Sequence, residues 1–580
     1  MPSKAFDLVL LKYLRYTSAL IVTAALMGPA GCGVNPGASA DLSAASGSTS
    51  SGSTGSGSTG SGSTGSGSTG SGSTGSGSTG SGSTGSGSTG SGSTGSGSTG
   101  SGSTGSGSTG SGSTGSGSTG SGSTGSGSTG SGSTGSGSTG SGSTGSGSTG
   151  SGTAGSGSTS STTPACTLYV ASDGAAGNSG KTADAAIPLL NADQVAVAGD
   201  TVCIAAGNYS LSTTFSPVHS GTASAWITYT SYNGAVTITW TGPASSPGAV
   251  MFHMYSPTFA DGPSYMAFEG LTLNGQNNVQ FGFFCQNATH MRYTGNTIEN
   301  MGEAGIGSSD CDYQTSDHNI IYHNGYNAGW SSGISYYASQ WFDQYSGLHN
   351  VISNNIIAGS YDNSSNHTDG NGIIMDTGSG GFSASAASAP NTLIVNNVVY
   401  GNGGRCIETN YVSNIWVLNN TCYDNMLDLT LGKEGEIYNY SSNSSYTVNN
   451  IADSWNNEPP YVVLGGNTTN LTFDNNLAFG GSLEGVSATG FLTSNPDFIN
   501  PPSYNATAGG QYANTINPSA LGNGLDLQSG SPAIGAGIDP ISLITNNSSL
   551  QSDMSAYIYT DINGNPRPVG GPFTLGAYQN

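Results

Sequence analysis

The chain has 580 residues, 97 of them glycine, and carries 8 basic against 31 acidic side chains for a formal net charge of −23. Such an excess of negative charge excludes nucleic acid as a partner, because that binding rests on neutralising phosphates with lysine and arginine. It also repels an anionic glycan unless a divalent cation bridges the two surfaces.

Residues 1–32 read as an export signal: Lys4, Lys12 and Arg15 precede the apolar run Ala19–Met27 and then Pro29-Ala30-Gly31-Cys32. The small residues before Cys32 resemble the lipobox of bacterial lipoproteins, with Pro29 where that family usually has Leu. Lipidation of Cys32 would place the protein at the outer membrane or cell surface, its only link to a membrane; without it the protein is secreted. The apolar run is shorter than the roughly 20 residues of a bilayer span. The other cysteines, Cys166, Cys203, Cys285, Cys311, Cys406 and Cys422, suit an oxidising compartment, and pairing of sequence neighbours (166 with 203, 285 with 311, 406 with 422) is expected. No CxxC motif is present, which argues against zinc.

From Ser51 to Gly150 the unit Ser-Gly-Ser-Thr-Gly repeats twenty times without a substitution, inside a Gly/Ser/Thr segment spanning 33–163. It has no apolar side chain to bury and is expected to be a disordered tether. A coil of ~115 residues spans roughly 60 Å. Beyond it, 5 basic and 29 acidic residues remain in the folded part, 164–580.

That part repeats. Gly295-Asn296-Thr297-Ile298, His318-Asn319-Ile320-Ile321, Asn354-Asn355-Ile356-Ile357, Asn396-Asn397-Val398-Val399, Asn419-Asn420-Thr421-Cys422, Asn449-Asn450-Ile451 and Asn475-Asn476-Leu477 each set an Asn before a short β-type run. A second landmark, the apolar centre of another strand, falls at Phe283, Ile306, Ile334, Ile373, Ile407, Ile437 and Val463. Intervals of 13 residues (283 to 296, 407 to 420) and 10 residues (296 to 306, 397 to 407) give a minimal coil of 23, with extra residues at 325–333, 358–371 and 377–390. Short strands in coils of this length predict an all-β fold, a three-sided parallel β-helix with insertions looping out on the surface. The recurrent Asn suits a left-handed turn and an amide ladder along the stack.

These repeats resemble those of the pectin-lyase-like right-handed β-helix superfamily, as do the opening Thr167–Gly174 and Ala198–Tyr209. The ending Ser529–Ala536, Asp561–Arg567 and Gly576–Tyr578 is similar to the tail of many exported bacterial β-helix proteins. The resemblance implies a small helix near Ala183–Val197 capping the first coil. It divides the domain into opening and cap (164–250), regular coils (251–480) and a C-terminal tail or cap (481–580). The superfamily includes lyases, hydrolases, epimerases and non-enzymatic adhesins, so activity stays open.

Side chains alternate along a strand. Placing Ile373 inside, rather than Ile374, keeps Asp376 out of the core. The outward columns then read Ser335 and Tyr337, Ile374 and Asp376, Glu408 and Asn410, Tyr438 and Tyr440. Aromatic rings offer planes to sugar faces and the polar groups take hydroxyls, so Tyr337, Asn410, Tyr438 and Tyr440 are the expected polysaccharide contacts of a groove. Beside it lies His367-Thr-Asp-Gly-Asn-Gly-Ile-Ile-Met-Asp376, where Asp369, Asn371 and Asp376, with Glu408, supply hard oxygen ligands of the kind calcium takes. A lyase needs a cation and a base; Arg405 and Lys433 border the groove near His367. A hydrolase needs two carboxylates, and Asp376 with Glu408, backbones roughly 8 Å apart by strand geometry, fall in the range for inversion. Two classes remain open: a tethered, monomeric polysaccharide-cleaving enzyme, and a non-catalytic surface-binding or adhesive protein.

Overall fold

A computed structural model describes backbone stretches between Thr49 and Gly150, and residues 165–580 apart from 245–247, 327–331, 366, 380–387, 433, 467, 488–489 and 503–523. Cys32 and Lys433 lie outside the described residues. In the tether the described backbone pairs in parallel, Thr49 with Thr59 and Thr134 with Thr144, a shift of two repeat units. An unbroken repeat gives the same ladder at every such shift, so no single register is preferred. With no apolar side chain, nothing offsets the roughly 1–2 kcal/mol per residue of backbone ordering. The tract is a linker, not a second packed domain.

The folded part is built of parallel strands. Eight form one sheet in sequence order: β1 (Val250–Tyr255), β2 (Phe281–Gln286), β3 (Ala304–Ser309), β4 (Ser332–Ser339), β5 (Asn371–Gly378), β6 (Ile407–Asn410), β7 (Ile437–Tyr440) and β8 (Tyr461–Leu464). A second sheet of 19 strands, all in parallel pairs, supplies the remaining sides of the coil. Phe252, Phe283, Ile306, Ile334, Ile373, Ile407, Ile437 and Tyr461 are register partners from rung to rung, all at 1% exposure or less. The apolar column therefore ends at Tyr461, not Val463, which pairs with Asn439 two residues further on. Tyrosine is accommodated in the core because its hydroxyl donates to the carbonyls of Asn450 and Leu477 at 3.1 and 3.2 Å.

The paired asparagines divide two tasks. Asn354, Asn396, Asn419, Asn449 and Asn475 hold φ between +45° and +60°, the left-handed turn that asparagine tolerates. Their neighbours Asn355, Asn397, Asn420, Asn450 and Asn476, with Asn296 and Asn319, are fully buried. Each Oδ1 accepts the backbone N–H of the ladder residue on the preceding coil at 2.9–3.0 Å. Replacing Asn420 with alanine is expected to cost about 1–3 kcal/mol by orphaning the buried Asn397 N–H, read as a lower urea midpoint at unchanged slope; an unchanged midpoint would remove the ladder from the account of stability.

A 3₁₀ turn at Ala183–Ala185 and a helix at Leu189–Val195 cover the first coil, burying Leu189 and Ala192, as the resemblance implies. The three disulfides join Cys166 to Cys203, Cys285 to Cys311 and Cys406 to Cys422, the neighbour pairing expected. The C-terminal segment runs along the flank of the coils. Its helix Ser548–Ile558, capped by Asn547, buries Leu550, Met554 and Ile558 in a cluster with Val351, Leu393 and Trp416. The left-handed asparagines hold this segment: Asn396, Asn449 and Asn475 donate Nδ2–H to the carbonyls of Thr560, Ile538 and Ala536 at 2.7–2.8 Å. No helix of the described residues is long and apolar enough to cross a membrane.

Candidate active site

The outward columns have the expected register. Ser335, Ile374, Glu408 and Tyr438 are partners on successive rungs, as are Tyr337, Asp376, Asn410 and Tyr440. Ile373 is in the core cluster, and Ile374 is not. The face is more closed than an open groove: Ile374, Asp376, Glu408 and Tyr438 are only 3–6% exposed. Tyr337, Asn410 and Tyr440 are half-buried and carry the accessible part.

Closure comes from the corner before the strands. Loops 359–370 before β5 and 424–436 before β7 are long, and the turn 401–406 before β6 is short. Met426 and Asp428 donate backbone N–H to the carbonyls of Gly404 and Gly403, and Gly404 donates to Gly370 at 2.9 Å, so the two loops close over the short turn. Glycine is required at 404: a Cβ there would lie 2.5 Å from the Asp369 carbonyl oxygen and 2.6 Å from Asn371 Oδ1. Gly370 at φ +86° is the left-handed position that lets the chain turn back.

Inside this corner Arg405, 5% exposed, organises the groups. Its guanidinium lies 3.2 Å from Glu408 Oε2, pairs with Glu434, donates to the Thr368 carbonyl at 2.9 Å and sits 4.9 Å over the Tyr438 ring. Asn371 completes the set, donating Nδ2–H to Glu408 at 2.9 Å while its Oδ1 accepts the Arg405 backbone N–H at 2.9 Å. Burial pushes the Tyr438 hydroxyl well above its ordinary value despite Arg405 nearby. That group is therefore a hydrogen-bonding side chain and a poor base.

His367 stands at the rim with φ +47°. Its Nδ1 is 2.7 Å from Asp428 Oδ2; the histidine side chain is 28% exposed and the aspartate 1%. Asp428 is fixed in turn by the backbone and hydroxyl of Thr430 at 3.0 and 2.6 Å. In the neutral ring Nδ1–H donates to Asp428, which leaves the Nε2 lone pair on the far side. Asp362 ties the loop, accepting from the backbone N–H groups of Ser364 and Thr368 at 2.9 Å.

The other predicted residues separate. Asp376 Oδ1 accepts from Asn410 Nδ2 at 2.9 Å, whereas Glu408 bonds Arg405 and Asn371. Among the described residues, Asp369, Asp376 and Glu408 do not converge as a metal-ligand set. The one such group is Cys406, Cys422 and Glu436, whose cysteines form a disulfide. Asn371 turns its oxygen to Arg405, so the Asp369, Asn371 and Glu408 corner already holds a cation of its own.

Asp428, Glu434 and Asp362 were not anticipated from the sequence. A signal existed: Ile407 and Ile437 are 30 residues apart where Phe283 and Ile306 are 23 apart. Seven extra residues therefore fall at the corner that carries Asp428 and Glu434.

No family model matches the chain, and no curated protein does. Among solved structures, it is similar to the pectate lyase Pel9A at 18% identity, covering 71% of this chain and 96% of that one with a TM-score of 0.42. An alginate lyase from Paenibacillus sp. str. FPU-7 matches at 18% identity over 52% of this chain and 95% of that one, TM-score 0.31. The A-module of the mannuronan C-5 epimerase AlgE4 from Azotobacter vinelandii matches at 13% identity over 51% and 91%, TM-score 0.30. With its all-parallel ladders, stacked apolar column and asparagine ladder, the chain folds as a parallel β-helix.

Proposed function

We propose that the protein acts on a polysaccharide laid across the half-buried column Tyr337, Asn410 and Tyr440, and cleaves it by elimination beside His367. The observation that carries this reading is the His367–Asp428 hydrogen bond next to Arg405. A base held by a buried carboxylate, with a guanidinium bonded to the carbonyl of the next residue, is what abstraction of a proton next to a sugar carboxylate requires. His367 Nε2 takes the proton from the carbon bearing the carboxylate. The freed electron pair forms a carbon–carbon double bond as the bond to the glycosidic oxygen breaks, and that oxygen takes a proton from water. The substrate carboxylate displaces Glu434, whose side chain is 32% exposed, and Glu408 at 7% stays on Arg405. The reading includes export and a lipid at Cys32; loss of membrane association in Cys32→Ser checks that part.

The test is incubation of the purified chain with polyuronates and neutral glycans, with and without calcium. New ultraviolet absorbance on a polyuronate is expected, reduced about 10²–10⁴-fold in His367→Ala, and less in Asp428→Asn, which keeps the ring but not its orientation. New reducing ends without absorbance would replace elimination with hydrolysis at Asp376 and Glu408. Retention of glycan with neither would leave a binding protein.

A further inference from the structure

A cavity of about 340 Å³ lies on a different face, between the 19-stranded sheet and the C-terminal helix, lined by Trp226, His290, Arg292, Tyr313, Tyr345 and Asp553 among others. We propose that it is a second binding site, taking one carboxylated sugar residue through Arg292; the sugar class rests on the reading above, but the site shares no residue with it.

Arg292 is exposed and lies with its guanidinium carbon 3.8 Å over the Trp226 ring. Among the described residues no carboxylate stands within ion-pair distance of it and none of its donors is used. Glu269, on the neighbouring strand, feels its charge without pairing. The contrast with the other described arginines is direct. Arg405 is committed to Glu408, Glu434 and Thr368, and Arg567, 2% exposed, donates to Thr574, Gly576, Asn396 and Gln579. In a domain with so few cations, a guanidinium stacked on indole, its fork unused beside a cavity, fits a planar carboxylate.

His290, Tyr313 and His349 of the cavity wall belong to a column of rings on successive coils that begins at Tyr265: Tyr265 on His290 at 4.1 Å, His290 on Tyr313 at 4.5 Å and Tyr313 on His349 at 4.3 Å. Tyr265, His290 and Tyr313 hold φ of +56°, +58° and +52°. Bulky residues seldom adopt that conformation, and its recurrence over three rungs requires surroundings that enforce it. The column's last ring is fixed: His349 Nδ1 is 2.8 Å from Asp312 and its Nε2 is 2.8 Å from the Tyr345 carbonyl. Burial lowers His290 to about 4, so at neutral pH it adds no second cation. Opposite, Asp553 is held by the Leu348 N–H at 2.9 Å and offers acceptors for sugar hydroxyls. Aromatic edge, guanidinium and carboxylate around a space of this size suit one sugar ring with an acidic substituent.

The experiment titrates the full chain with monomeric glucuronate and galacturonate, and with glucose and galactose, following saturation-transfer signals and tryptophan fluorescence. The expected result is uronate binding that weakens at least tenfold in Arg292→Gln, only partly in Arg292→Lys, and not at all in His367→Ala. Unchanged melting of Arg292→Gln separates lost binding from lost fold. Equal binding of neutral sugars, no sugar binding, or uronate binding that survives Arg292→Gln would each overturn the proposal. So would loss of uronate binding in His367→Ala, which would place the sugar on the other face. Failure of the chain to cleave polymer, with monomer binding intact, would count only against the elimination reading.

Discussion

Replacement of Arg405 by leucine is expected to lower the unfolding free energy by about 3–5 kcal/mol, the range for breaking a buried ion pair from one side. Glu408 is 6% exposed and would keep the Asn371 amide but lose the guanidinium, and Glu434 would lose the same guanidinium. The loop before β5 would loosen too, because the Thr368 carbonyl loses its donor. Urea unfolding measures the cost, and the double variant Arg405→Leu/Glu408→Gln should regain part of it by removing the stranded charge. A single variant within about 0.5 kcal/mol of the parent, the range of ordinary surface changes, would mean that Arg405 does not organise the corner.

The contribution of one buried acid cluster to stability is expected to be greater at pH 5 than at pH 8, the reverse of a carboxylate held in an ion pair. Burial raises Asp453 to about 7, with the Asp424 charge adding to it, and raises Asp424 to about 6. Burial also holds Glu436 well above the usual range, against two hydrogen bonds from Asn425. A raised carboxyl binds its proton more tightly when folded. Its contribution is complete below the unfolded value near 4 and disappears as pH climbs through 6 to 7. Asp424 and Asp453 influence each other and titrate as a pair, so the loss between pH 5 and 8 is on the order of 3 kcal/mol, not the sum of two separate shifts. Thermal unfolding across this range provides the check, with Asp453→Asn flattening the profile. A difference between parent and Asp453→Asn that does not shrink with rising pH would contradict the burial of these acids.

The fold was largely readable because a solenoid repeats its constraints. The interval from one Asn to the next, and from Phe283 to Ile306 or Ile407 to Ile437, is set by the rung, so strand register followed from counting. Val463 departs from the column because the last rung uses Tyr461, whose polar tip sets it apart from the apolar centres of the other rungs. The outward positions of Asp376, Glu408 and Tyr438 were readable from alternation, but their burial was not. It depends on how loops 359–370 and 424–436 meet over Gly404, a contact between segments more than 50 residues apart that no local pattern encodes.

Chain order and residue type alone therefore decided the tether, the disulfide pairs, the parallel coil and which side chains leave its core, since each is governed by composition or by a period along the strand. Long-range packing decided the rest: that Arg405 spends its charge on Glu408 and Glu434, that Asp428 orients His367, and that the C-terminal helix closes a cavity over Arg292. The physical difference is range. Hydrogen-bonded rungs repeat every coil, whereas an ion pair or a cavity wall depends on where irregular loops of unequal length come to rest.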